Sequence, residues 1–275
     1  MTSAVQLKGM NDGLERRHST GPTSTSTTLS PYTATNSTTA HRQSTSAIDL
    51  SHSPSNDESP SDYETQPQDS PSFAPTHTFW ITPHSLFTRS IPVYDLTSGI
   101  STPYTGLSPA YKAAVQKALK DHCPTPCYTL TRQNWLGLRY TITDVASVPV
   151  AEWKHPWSSV GEALLTFPAD STHSTHAVAL RNKRWGRRTE TFVMDSVTYE
   201  WASDSLLVSQ YMTLYKVLGS QRAEVGKFAA KRWGGWSTGG TFVVDTNEVD
   251  ELVAVLSLAV VLKKKRQRAA KRHGA

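Results

Sequence analysis

Five basic residues crowd one indole between positions 181 and 188: Arg181, Lys183, Arg184, Arg187 and Arg188 flank Trp185. Guanidinium groups bind phosphate oxygens through paired N–H donors, and an indole adds an apolar face with one donor. A phosphorylated headgroup or a nucleic-acid backbone would suit such a segment, and so would plain solvent around a hairpin tip. A weaker cluster, Lys227, Lys231 and Arg232, precedes Trp233. A third closes the chain: Lys263, Lys264, Lys265, Arg266 and Arg268 in KKKRQRAAKR. It has three readings: the solvated end of a helix, a short nuclear address, or an attraction to an anionic leaflet worth about 1 kcal/mol per basic residue.

Covalent chemistry has weaker support. Gly235-Trp236-Ser237-Thr238-Gly239 fits the spacing of a hydrolase nucleophile, but that motif needs a strand, a sharp turn and then a helix. Here a β-like run, 241–245, follows, so the segment reads as a glycine-rich loop. His122, Cys123 and Cys127 are close in sequence, yet a structural zinc site needs four ligands and the other histidines, such as His155, His173 and His176, are scattered. The expectation is no catalytic set, no metal and no cofactor.

The charge is unevenly spread. Residues 1–75 carry −4, residues 76–262 carry +2 and the final 13 residues carry +7, which together make the net +5. A basic pI that comes mostly from one terminus argues against a dedicated nucleic-acid binder. Two cysteines make no disulfide framework, and the start lacks a basic-then-apolar leader. The expected location is intracellular, cytoplasmic or nuclear, without secretion and without a transmembrane segment.

Three parts are expected to carry these residues. Residues 1–75 hold 27 Ser and Thr and seven Pro, too little apolar surface to offset ordering, so they read as a disordered tail. Four Ser-Pro pairs in it, at Ser30, Ser53, Ser59 and Ser70, are candidates for proline-directed phosphorylation. Residues 76–266 read as the folded domain and 267–275 as a basic tail. Within the domain, Ser108-Pro109 opens a helix over about 109–122. Elsewhere the period is two, as in Leu138, Tyr140 and Ile142 against Arg139, Thr141 and Thr143. About eleven to twelve short strands follow, mostly antiparallel because their links are short.

Leu252–Leu262 then breaks the pattern, with Ser257 its one polar residue. As a helix it is apolar on every face and must be surrounded. At 1.5 Å per residue it covers about 16 Å, short of a bilayer core. Asn247 or Thr246 is the expected cap, acidic residues sit at its start and basic ones at its end, giving a helix over 247–266. Many strands and one all-apolar helix fit together when a closed sheet wraps the helix.

On this layout, and on the segments 192–201, 213–217, 224–228 and 240–244 with the helix 248–266, the chain resembles the tubby C-terminal-like fold, shared with scramblase and plant LURP-one-like proteins. It is most similar to a fungal branch of that superfamily. The resemblance implies a mainly β domain, an antiparallel barrel around a central hydrophobic C-terminal helix, with no defining catalytic motif. Some tubby-like proteins bind phosphoinositides, but no ligand residue of theirs maps onto this chain. The functional expectation is a non-enzymatic binding or scaffold protein whose partner is an anionic membrane surface or another protein. The alternative is a nuclear interaction protein imported through its basic end.

Overall fold

The computed structural model describes residues 70, 72–85, 88–122, 124–155, 161–183, 189–203, 210–231 and 239–273, with the backbone alone for 269–273. Twelve strands form a closed barrel in which each strand pairs antiparallel with its neighbours in sequence: β1 His77–Ile81, β2 Ser90–Asp95, β3 Tyr128–Arg132, β4 Arg139–Asp144, β5 Pro149–Lys154, β6 Glu162–Thr166, β7 Val178–Asn182, β8 Glu190–Met194, β9 Val197–Ser203, β10 Tyr211–Leu218, β11 Gln221–Ala230 and β12 Gly240–Val244. Pairing of Phe79 with Phe242 and its neighbours joins β1 to β12 and closes the ring. Among the described strands no edge is left unpaired, which removes the template for edge-to-edge association.

Alternation decides what enters the barrel. Tyr140 and Ile142 of β4, Ala151 and Trp153 of β5, and Leu165 of β6 are buried, with their sequence neighbours between them at least partly exposed. These residues share one core with the second helix, α2 Glu251–His273. Leu252 to Val261 are buried on every face of that helix. Contacts from widely separated strands reach it: Tyr128 of β3 donates to Glu251 Oε1 at 2.5 Å, and Tyr199 of β9 donates to the Glu248 carbonyl just before it at 2.8 Å. Its single polar core residue is also satisfied. The Trp201 indole N–H donates to Ser257 Oγ at 2.8 Å, and the Ser257 hydroxyl donates to Ala254 O.

The first helix, α1 Pro109–His122, begins where the sequence signals it, with Ser108 Oγ accepting the Tyr111 N–H at 3.2 Å. Tyr111, Val115 and Ala118 form its buried face and cover the outside of the barrel over Trp80, Ala229 and Val243. That cover explains why β12 is buried at all five positions rather than alternating.

Several sequence expectations change. The count of twelve strands agrees with the expected eleven to twelve, but Pro149–Lys154, whose end at Lys154-His155-Pro156 reads as a turn, is one of them, with Ala151 and Trp153 in the core. The α2 cap is Asp250, whose Oδ1 accepts the Val253 N–H at 2.9 Å, rather than Asn247 or Thr246. The helix runs to His273, past residue 266, so residues 267–273 continue it. Contacts with the barrel begin before residue 76, since the Ser70 N–H donates to Glu224 Oε2 at 2.7 Å and Phe73 is buried. The predicted tail up to residue 69, with Ser30, Ser53 and Ser59, lies outside the described residues.

Candidate functional site

Because the strands alternate in direction, the ends of β1, β3, β5, β7, β9 and β11 share one rim of the barrel with the starts of their partners. The C-terminal half of α2 emerges at this rim, while its cap, Asp250, lies at the other. Two of the sequence-predicted clusters therefore meet: the base of the β7–β8 hairpin and the basic run of α2. Arg268 makes the junction, donating to Asn182 Oδ1 at 2.7 Å and to Glu190 Oε1 at 2.6 Å.

The described members of the hairpin cluster are already paired. Arg181 bonds Glu162 at 3.0 Å on the surface. Lys183 reaches the buried Glu200 at 2.5 Å, and Arg222 reaches the same carboxylate at 2.9 Å. Arg184, Trp185, Arg187 and Arg188 lie outside the described residues, as do Arg232, Trp233, residues 235–238 of the glycine-rich loop and Cys123. In the second cluster Lys227 is buried beside Glu224 at 3.3 Å, which makes it a structural residue. Lys231 lies 5.4 Å from the centre of the Trp80 ring.

Lys263 and Lys264 are not a solvated helix end: 7% and 1% exposed, they lie inside the barrel wall. The apolar run marks the dry part of the core, but one further helical turn is still enclosed. Lys264 Nζ donates to Glu190 Oε2 at 2.7 Å, to Gly161 O at 2.8 Å and to Leu180 O at 3.3 Å. Burial lowers its pKa and the Glu190 carboxylate opposes that. Sequence reasoning missed Glu190, which is fully buried, although it stands two residues from the inward-facing Phe192. Lys263 donates to Gly137 O and lies 4.8 Å from the ring centres of both Tyr140 and Trp153. Burial, with repulsion from Arg132, pulls its pKa down to about 8. Lys265, Arg266 and Arg268 are half-buried, and Arg266 donates to the His84 carbonyl.

Two histidines complete the rim. Burial lowers His84 to about 4, with Arg266 adding repulsion, and lowers His155 to about 3, with Lys263 and Lys264 adding theirs. Both are neutral at physiological pH. The Asn134–Gly137 turn lies at the same rim, where the Gly137 carbonyl accepts from Lys263. It is held by Gly137 N–H to Asn134 O at 3.0 Å and Leu138 N–H to Asn134 Oδ1 at 2.8 Å, with Gly137 at φ 65°. Its tip carries Trp135, 83% exposed, and Leu136. An exposed indole thus shares the rim with Arg266 and Arg268.

Burial pushes the Cys127 thiol up to about 12, and its Sγ–H donates to Val93 O. Among the described residues no cluster of His, Cys, Asp and Glu is suited to a metal ion. Among the described residues no helix is long and apolar enough to cross a membrane. The fold and rim define a closed antiparallel β-barrel filled by a helix, with one basic end. The chain matches no protein family, no curated protein and no solved structure.

Proposed function

We propose that the chain is a non-enzymatic binding module, tubby-like in layout, that docks the basic rim of its barrel on anionic phospholipid headgroups. One observation carries the reading: the rim that exposes Trp135 and Leu136 is the rim at which the C-terminal turns of α2 and the foot of the β7–β8 hairpin converge. Tryptophan favours the headgroup level, where its apolar ring and polar N–H are both accommodated. Basic residues beside it add about 1 kcal/mol each near an anionic leaflet. In this reading Arg184, Arg187 and Arg188, which join β7 to β8, supply cations that the paired Arg181 and Lys183 do not. The twelve-strand barrel around a C-terminal helix supports the tubby-like layout.

The alternative of an import signal in residues 263–266 loses support, because a receptor reads exposed side chains and Lys263 and Lys264 are enclosed. The test is sedimentation of the full chain with vesicles of phosphatidylcholine alone or with added phosphatidylserine or phosphoinositide. Binding that requires anionic lipid, persists at near-physiological salt and falls about tenfold in Trp135→Ala is expected. No binding to any vesicle would move the reading to a protein partner.

A further inference from the structure

Of the four Ser-Pro pairs in residues 1–75, only Ser70-Pro71 has its serine among the described residues. The two polar groups of that serine face different surroundings. Its N–H donates to Glu224 Oε2 of β11 at 2.7 Å, and the Glu224 side chain is 13% exposed. Its hydroxyl lies at the surface, sharing a hydrogen bond with Ser72 Oγ at 3.0 Å. A group that a kinase could modify is thus in the open, while the backbone of the same residue is tied to a half-buried carboxylate.

The bond to Glu224 fastens a short strap. At its far end the Thr76 N–H donates to Val244 O at 2.9 Å, which carries the β1–β12 ladder one step further. Between the two ends the Phe73 N–H donates to Ser70 O at 3.0 Å, turning the chain. Phe73 itself is buried, edge-on to Tyr104 with ring centres 5.9 Å apart, in the cluster with Leu107, Tyr111 and Val115 that lies under α1. One ring and one N–H therefore hold the strap down. An attachment so small opens at lower cost than the barrel strands beside it.

A phosphate on Ser70 would act on that attachment. Phosphoserine carries about −1.5 to −2 charges near neutral pH. At this position the charge falls beside Glu224, because the N–H of the same residue is bonded to that carboxylate. Lys227 lies 3.3 Å from Glu224 and is 4% exposed, so its charge is already matched from within the barrel wall. A dianion next to a carboxylate breaks a contact by repulsion, and partial burial leaves that repulsion weakly screened.

We propose that Ser70 is a phosphorylation site and that its modification unfastens the strap from β11 and lifts Phe73 from beneath α1. A proline-directed kinase passes the γ-phosphoryl group of ATP to Ser70 Oγ. The bond from that group to the β-phosphate oxygen breaks, a P–O bond to Ser70 forms, the hydroxyl proton is released and ADP leaves. The transiently open strap is the form a kinase grips, and the added charge then holds it open.

Amide hydrogen exchange tests the release in two full chains, one unmodified and one carrying phosphoserine at position 70, introduced during translation. Exchange at the Phe73 amide is expected to quicken about tenfold or more on modification, as for loss of a hydrogen bond to a charged group, while the β12 amides from Thr241 to Val244 keep their rates. An unchanged Phe73 rate overturns the proposal, and so does a matching rise throughout β12, which would mean general unfolding. Glu224→Gln keeps an acceptor oxygen but removes the charge. In that variant the phosphate is expected to leave the Phe73 rate unchanged; an equal acceleration shows that repulsion is not the cause and overturns the mechanism. The comparison in the unaltered chain stands even if Glu224→Gln fails to fold. Mass spectrometry of the full chain after treatment with a cyclin-dependent kinase and ATP reads the modification itself. Phosphate at Ser70 is expected; phosphate confined to Ser30, Ser53 and Ser59 overturns Ser70 as the site.

Discussion

Replacing Lys264 with methionine removes the centre of a buried network while keeping much of the side chain's volume. The Glu190 carboxylate, fully buried, would keep Arg268 at 2.6 Å but lose the ammonium at 2.7 Å. Breaking one partner out of a buried pair costs about 3–5 kcal/mol, because the remaining charge stays desolvated. Gly161 O loses its donor at 2.8 Å, which adds about 1 kcal/mol, and the retained Arg268 subtracts a similar amount. A loss of about 3–5 kcal/mol is expected, a large part of the 5–15 kcal/mol typical of a whole domain. Urea unfolding at pH 7.5 measures it. Lys264→Met combined with Glu190→Gln is expected to recover about 2 kcal/mol or more, because the fully buried charges are gone and the Arg268 guanidinium left behind is partly exposed and still bonds Asn182. Lys263→Met is expected to leave stability unchanged or to raise it. If Lys264→Met costs under about 1 kcal/mol, or if the two lysine variants cost the same, the contrast between paired and unpaired charge is wrong.

Three further outcomes follow from single contacts. Ser257→Ala leaves the Trp201 indole N–H orphaned in the core and is expected to cost about 1–3 kcal/mol in the same assay. Gly137→Ala forces a side chain onto φ 65°, with its Cβ 3.4 Å from both Arg132 Cδ and Tyr140 Oη; a loss of about 1–2 kcal/mol and weaker vesicle binding are expected. Stability is also expected to fall on acidification. His84 and His155 have folded pKa values of about 4 and about 3, below the unfolded 6.5, so their neutral burial contributes fully above pH 6.5 and is lost as pH falls through that window. Between pH 6.5 and 5 the loss is about 2 kcal/mol for each. His173 acts in the opposite sense: Asp250 raises its pKa, so its contribution is present below pH 6.5 and is lost as pH rises through the raised value. Equal urea midpoints at pH 7.5 and pH 5 would contradict the histidine assignment.

The barrel was readable because its two periods differ so sharply. Strands alternating at every second residue, followed by Leu252–Leu262 without a polar face, leave few arrangements in which that helix is dry. The strand β5 was harder: Lys154-His155-Pro156 signals a turn and masks the alternation of Ala151 and Trp153. The site was less legible for a different reason. A charged residue in a strand reads as solvent-facing, so Glu190 was passed over although it shares the face of Phe192. Lys263 and Lys264 are separated by about 100° around the helix, which aims one at β4 and β5 and the other at β7 and β8. That rotation depends on how the helix sits in the barrel, and local sequence does not contain it. The same holds for Trp135, an ordinary loop residue until the fold sets its turn, through Gly137 O, against Lys263.

End-on docking can be read directly from two labelled positions. In a full chain with Cys123→Ser and Cys127→Ser, an environment-sensitive fluorophore is attached through Trp135→Cys at the basic rim, or through Val145→Cys at the opposite one, where Val145 is 67% exposed in the β4–β5 turn. With anionic vesicles, the label at position 135 is expected to brighten and shift to the blue while the label at position 145 stays as in water. Equal responses at both positions, or a response at position 145 alone, would contradict docking through the basic rim.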